Sequence, residues 1–141
     1  MRNKAPLALM EQAIMLCVFA LAAVLCLQAF LWADRQSEQS AQQDRAILQA
    51  QNAAEAAKHC HGDLDVAAQQ FGGQADEGSW NIWFDEDWQQ VGPEGAYRLC
   101  VPREHTAVPG LGRAVVEVTR TGGGVLTLLP VAWQEVIRDG E

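Results

Sequence analysis

The hydrophobic positions of the chain follow one pattern up to about residue 33 and different patterns after it. The run from Gln12 to Ala33, QAIMLCVFALAAVLCLQAFLWA, contains no charged residue. As a helix this run is about 33 Å long, which is enough to cross the hydrocarbon core of a bilayer. The pattern predicts a transmembrane helix over residues 7–33.

A polar, alanine- and glutamine-rich segment follows without any helix-breaking residue. Neither Gly nor Pro occurs between Leu7 and Lys58, so we expect the helix to continue through an extracytoplasmic segment, residues 34–62, with Gly62 just past its end. Small apolar residues fall within an arc of about 120° on this outer half and would allow close approach to a packed surface. They are Ala46, Ala50, Ala53, Ala54 and Ala57, beside Ile47.

The spacing of apolar positions changes after Gly62. Asp63 is expected to cap a short helix over residues 64–71, which Gly72 and Gly73 end. Alternating residues then predict short strands. These strands cover residues 80–84, 88–91 and 96–101, and an acidic turn at residues 85–87 separates the first two.

The last third of the chain carries the clearest strand signal. Alternating segments at residues 113–121 and 125–133 flank Gly122–Gly124, a pattern typical of a β-hairpin. Pro130 indicates that the final strand is an edge strand or contains a bulge. The predicted fold is α+β: a long N-terminal transmembrane-plus-stalk helix, then a small antiparallel β-meander of about four strands in a domain over residues 63–141.

The distribution of charge predicts the orientation and limits the partners. Arg2 and Lys4 precede the apolar run, so the N-terminus is expected inside and the C-terminal domain outside the cytoplasmic membrane, as a single-pass protein. A net charge of −8 disfavours direct binding of nucleic acid. A cleaved signal peptide is the rival interpretation, but its apolar core is shorter, and Trp32 suits a membrane interface.

The remaining reactive residues give weak signals for chemistry. Cys60 and Cys100 are a candidate disulfide in the exported part, with two free thiols as the alternative. His59-Cys60-His61 does not predict a metal site, because adjacent helical residues point about 100° apart. The acidic residues 76–77 and 85–87 lack EF-hand spacing and favour a solvated turn over a calcium site.

No catalytic or cofactor site is predicted. Ser79 and His105 lie outside any recognisable catalytic motif, so the protein is not expected to be an enzyme and no cofactor is expected. Trp80, Trp83 and Trp88 lie near one turn, and core packing explains them better than a binding patch does.

The N-terminal residues resemble a known family. Pro6-Leu7-Ala8-Leu9-Met10-Glu11, followed by the apolar run, is similar to the start of type IV pilins and type II secretion pseudopilins. In that family a short basic leader precedes an apolar first mature residue, and the fifth mature residue is Glu. Here the leader would be residues 1–6, the junction Pro6–Leu7 and the fifth residue Glu11. The motif covers about residues 2–33, and the layout of helix and meander covers the chain.

The resemblance implies a minor, diverged pilin-like subunit of an extracytoplasmic filament or of a secretion or DNA-uptake machine. Its partners would be other pilin or pseudopilin subunits, a membrane assembly platform and a prepilin peptidase. Glu11 would pair with a cation of a neighbouring subunit; the alternative is that its side chain reaches the lipid headgroups. Pro6 stands where the family has Gly, which predicts slow or absent cleavage before Leu7 and leaves Arg2 or Lys4 as the cation.

A second function stays open beside the filament subunit. A single-pass membrane protein whose extracytoplasmic domain binds a protein partner in envelope assembly would have the same layout. Such a protein would form no filament, and Glu11 would have no role in association.

Overall fold

A computed structural model of the protein describes residues 5–104 and 106–135. Two helices are followed by short strands, which confirms the α+β class. The helices are α1 (Ala5–His59) and α2 (Leu64–Phe71); the strands are β1 (Gln74–Ala75), β2 (Ser79–Phe84), β3 (Gln90–Val91), β4 (Tyr97–Pro102), β5 (Leu111–Arg120) and β6 (Val125–Gln134). The chain forms two compact units, residues 1–41 and 42–141.

The described part of the first unit is helical throughout. Every residue from Pro6 to Ala41 is exposed, including large side chains such as Leu7, Phe19 and Trp32. Among the described residues one helix, α1, is long and apolar enough to cross a membrane. The apolar helix that the sequence predicts is therefore present, and the side chains of residues 6–41 are exposed.

The second unit is built on an antiparallel sheet. Strands β2, β4, β5 and β6 lie side by side in chain order, which confirms the predicted four-stranded meander. Two short strands, β1 and β3, pair with the other edge of β2. The sequence analysis missed β1, since two residues are too few to show alternation.

The predicted return strand at residues 88–91 is half as long as expected. Trp88 has a φ of 61°, which places it in a turn, and β3 begins only at Gln90. The carboxylate of Asp85 holds this turn, because its Oδ1 accepts hydrogen bonds from the backbone N–H groups of Asp87 and Gln89, both at 2.9 Å. An Asx-type turn competes successfully with strand pairing here.

The core of the second unit lies between one face of the sheet and the C-terminal part of α1. Alternate strand residues point inward, and the helix contributes small side chains to the same cluster. The small alanine side chains leave room between the helix and the sheet, and the aromatic side chains fill this volume. The inward residues include Trp80, Ile82, Phe84, Tyr97, Leu99, Val101, Ala114, Val116 and Val118, and the helix residues are Ala46, Ala50, Ala53, Ala54, Ala56 and Ala57.

The residues that were predicted to end α1 and to cap α2 have these roles in the structure. Gly62 has a φ of 81°, and its N–H donates to the carbonyl of Ala57 at 2.9 Å. A Cβ at Gly62 would also collide with the indole of Trp133. Asp63 caps α2, since its Oδ1 accepts the N–H of Val66 at 3.1 Å. This corner needs glycine for both its backbone conformation and its packing.

Strand β6 forms one edge of the sheet, as Pro130 predicted. It pairs with β5, with Pro130 opposite Val115, and the register shifts between Val118 and Thr119. The missing N–H of a proline is harmless on an edge strand, where that side of the backbone has no partner strand.

Candidate functional site

Glu11 lies on the exposed helix of the first unit, among apolar neighbours. Leu7 precedes it by one turn and Met15 follows by one turn, and all three residues are exposed. The ion pairs between described residues all lie beyond residue 54. An acidic side chain in such surroundings suits pairing with a cation from outside the helix.

The proposed processing junction lies in the first turn of α1. Pro6 suits this place, because the first helical residues need no N–H donor and proline has none. Leu7 is 71% exposed. The two candidate cations, Arg2 and Lys4, lie outside the described residues, and pairing of Glu11 with either stays a prediction.

The apolar side chains of the first unit surround the helix. A helix that packs on a soluble domain has an apolar stripe and a polar face, but here Phe19 is 76% and Leu21 65% exposed although they lie about 160° apart around the helix. Such a surface is stable in lipid or against other apolar helices. The arrangement can therefore insert in a membrane and associate with other apolar helices.

The candidate disulfide between Cys60 and Cys100 is not formed, and both cysteines are free thiols. Cys60 lies in the core at the end of α1. Cys100 alternates on β4 with the buried residues Leu99 and Val101, so its side chain points to the opposite face of the sheet. The sheet separates the two sulfur atoms, and burial raises the pKa of both thiols.

Two acidic residues of the second unit, Asp76 and Asp85, stabilise turns through hydrogen bonds from backbone N–H groups. Asp76 Oδ1 accepts the backbone N–H groups of Gly78 and Ser79 at 3.1 and 2.9 Å, and these bonds lower the pKa of its carboxyl group. In the next turn, Asp85 Oδ1 accepts the backbone N–H groups of Asp87 and Gln89. Among the described residues, no three His, Cys, Asp or Glu side chains converge as a metal site would require.

The other chemical candidates do not come together either. His59 is exposed, Cys60 is buried, and Nδ1 of His61 lies 3.4 Å from the carbonyl oxygen of Gln134. The hydroxyl of Ser79 donates to Asp76 at 3.2 Å. His105 lies outside the described residues.

The three tryptophans divide between core and surface. Trp80 and Trp88 are buried, whereas Trp83 is half-buried on the outer face of the sheet. Trp88 stacks on Tyr97 with ring centroids 4.4 Å apart. Core packing therefore accounts for two of them, and the three do not form one exposed aromatic patch.

Sequence reasoning missed Gln42, which joins α1 to this aromatic pair. Its Oε1 accepts the indole N–H of Trp88 and the hydroxyl of Tyr97, both at 3.0 Å. Nothing in the sequence distinguishes Gln42 from the neighbouring Gln43, because the role depends on long-range contacts. Gln42 is also the first residue of the second unit.

The outer face of the sheet bears an exposed apolar area near its edge. On β6, Leu128 is 58% and Val125 53% exposed. Leu128 lies opposite Glu117 in the register. A patch of this kind on an edge strand suits contact with another protein.

The chain matches no protein-family model, no curated protein and no solved structure.

Proposed function

We propose that the protein is a membrane-anchored structural subunit, a minor pilin-like or pseudopilin-like component. It would assemble through its N-terminal helix in an extracytoplasmic filament or in a secretion or DNA-uptake machine. The observation that carries this proposal is the exposure of every residue from Pro6 to Ala41, with Glu11 among apolar neighbours. The resemblance of residues 6–11 to the family's junction supports the same assignment.

The physical argument starts from the environment that the first unit needs. Its large apolar side chains favour lipid, and a single long helix satisfies all its interior backbone groups there. A carboxylate at the edge of the hydrocarbon region is costly unless it is paired or reaches the headgroups. Pairing with a cation of a neighbouring chain would make Glu11 an association residue.

Photo-crosslinking in intact membranes tests the role of Glu11. A photoreactive residue at Met15, one turn from Glu11, should crosslink to neighbouring subunits. Glu11→Gln at equal expression should reduce these crosslinks, because the charge pair is lost in a low-dielectric setting. Glu38→Gln, an exposed acid farther along the same helix, is the matched control and should leave them unchanged. Equal crosslinking in wild type and Glu11→Gln would contradict the pairing role.

The orientation is tested with a cysteine placed where the fold tolerates it. Gly124 suits this purpose, because a Cβ there meets no atom within 4 Å. We expect Gly124→Cys to react with a membrane-impermeant maleimide added to intact cells, as an external C-terminal domain requires. Labelling only after lysis would show the opposite orientation.

A second candidate function is supported by the exposed apolar side chains of β6. A single-pass protein whose extracytoplasmic domain binds a protein partner would use such a surface, which includes Leu128 and Val125. Leu128→Lys should then abolish capture of that partner while Glu11→Gln has no effect. If the protein is instead a filament subunit, Glu11→Gln should weaken association and Leu128→Lys should have no effect.

A further inference from the structure

We propose that two copies of this chain pair in parallel through one face of the membrane helix, centred on Gln28. This inference rests on the membrane insertion in the proposed function. It specifies which face of the membrane helix makes a contact and that the partner is a second copy of the chain. Gln28 is a polar residue within the apolar run, and its side chain is exposed on α1. Of its neighbours one turn away, Val24, Leu25 and Leu31 are aliphatic and the indole of Trp32 is a donor only, so none of them can accept a hydrogen bond from the Gln28 amide.

The depth of Gln28 makes its amide costly without a partner. It lies five residues before Ala33, which places its Cα about 8 Å inside the end of the run. Hydrocarbon offers neither a donor nor an acceptor, so an unpaired amide there is unfavourable. A second helix that brings an amide to the same depth removes this penalty.

A second copy of the chain meets this requirement. An amide side chain has both a donor and an acceptor, so Gln28 can bond to Gln28 of an identical helix. Identical chains insert in the same direction, and in a parallel pair each core position faces itself. The two Gln28 amides then lie at the same depth in the membrane because the chains are identical. A different partner would need its own polar group at that depth.

The residues on either side of Gln28 form a continuous seam. Steps of four and three residues lead along one face of the helix, the spacing of the a and d positions in a left-handed helix pair. A single polar residue in such a seam fixes the register and the number of chains. The seam consists of Ile14, Cys17, Leu21, Val24, Gln28 and Leu31.

Glu11 does not belong to this seam. At about 100° per residue it lies about 100° around the helix from Gln28. The Gln28 face therefore leaves Glu11 free for another neighbour, and the two contacts can be tested separately.

The native cysteines report directly on the pairing. At 3.6 residues per turn, Cys17 lies about 20° from Gln28 and Cys26 about 160° away, on the opposite side of the helix. Oxidation of the full-length protein in its membrane with copper phenanthroline should give a disulfide-linked dimer. Cys17→Ser should abolish this dimer, and Cys26→Ser should leave it intact. Cys60 is buried and Cys100 half-buried in the second unit, and both are present in all these variants, so a dimer through either of them would persist in Cys17→Ser.

Substitution of the amide then tests its role. Gln28→Leu should lower the yield of the Cys17 dimer roughly threefold to tenfold, and Gln28→Asn should restore most of it. Gln12→Leu, which removes an amide about 160° away from Gln28, is the matched control and should have no effect.

Three outcomes would overturn the inference. Equal dimer yields through Cys17 and Cys26 would indicate random collision, and an unchanged yield in Gln28→Leu would show that the amide merely reaches the headgroups. Crosslinking of Cys17 to a different protein, without the dimer, would exclude a second copy as partner. If the protein stays in the membrane and its Glu11-dependent crosslinks persist, any of these outcomes refutes the Gln28 face alone. Extraction by alkaline carbonate would instead refute the membrane anchor and the proposed function with it.

Discussion

Two parts of α1 have the same helical backbone but differ in the size and exposure of their apolar side chains. Residues 6–41 expose large apolar side chains, such as Phe19 and Trp32. Residues 42–59, in the second unit, bury the small side chains of Ala46, Ala50 and Ala57 completely. In the first part, large side chains add apolar surface that suits a lipid environment. In the second part, large side chains would prevent the helix from packing on the sheet.

The comparison shows that apolar content does not by itself locate a core. The first part has the higher apolar content and all of residues 6–41 are exposed, whereas the alanines of the second part belong to the core. What differs is the environment for which each surface is suited. Substitutions that are matched between the two parts should therefore have very different effects.

The largest expected difference is between two tryptophans. Trp80 is 0% exposed and its indole N–H donates to the carbonyl of Gly72 at 2.9 Å, whereas Trp32 is 70% exposed. Trp80→Ala should destabilise the second unit by about 3–5 kcal/mol, and Trp32→Ala should not change its unfolding. Urea unfolding of the full-length protein in non-ionic micelles, followed by near-UV circular dichroism, measures both. A similar loss in the two variants would show that the first unit also supports the fold.

A smaller effect is expected from adding volume to an alanine. Ala50→Leu places three extra carbon atoms between α1 and the sheet and should cost about 1–3 kcal/mol. Ala23→Leu makes the same change at an exposed position of the first unit and should leave the unfolding midpoint unchanged. The same urea titration compares them. Equal stability of Ala50→Leu and wild type would mean that the helix does not pack closely on the sheet.

The smallest effect concerns the pH dependence of the second unit. The backbone N–H groups of Gly78 and Ser79 lower the pKa of Asp76 below its usual 3.8, so the folded state favours the charged carboxylate. This contribution is present above the pKa of the unfolded chain and is lost as the pH falls through the folded value. Asp76→Asn should therefore be less stable than wild type at neutral pH, and the difference should shrink on acidification. A constant difference in unfolding free energy across this range would contradict an electrostatic origin.

Local patterns anticipated much of the second unit. The Asp63 cap, the residues of α2 and the edge position of β6 follow from side chains near in sequence, which determine caps and turns. The length of β3 was wrong, because the Asp85 turn takes residues that alternate as a strand would. The candidate disulfide failed since spacing along the chain does not reveal on which face of a sheet a cysteine lies.

The sequence by itself determined the long apolar helix, the change to strands after Gly62 and the acidic edge of the apolar run at Glu11. These follow from periodicity and from the cost of charge in hydrocarbon, which are local properties. Only the tertiary structure decided that Gln42 bonds to Trp88 and Tyr97 and that Cys60 and Cys100 lie on opposite faces of the sheet. The Gln42 bonds join residues 46 and 55 positions apart, and such contacts arise only when the sheet packs on the helix.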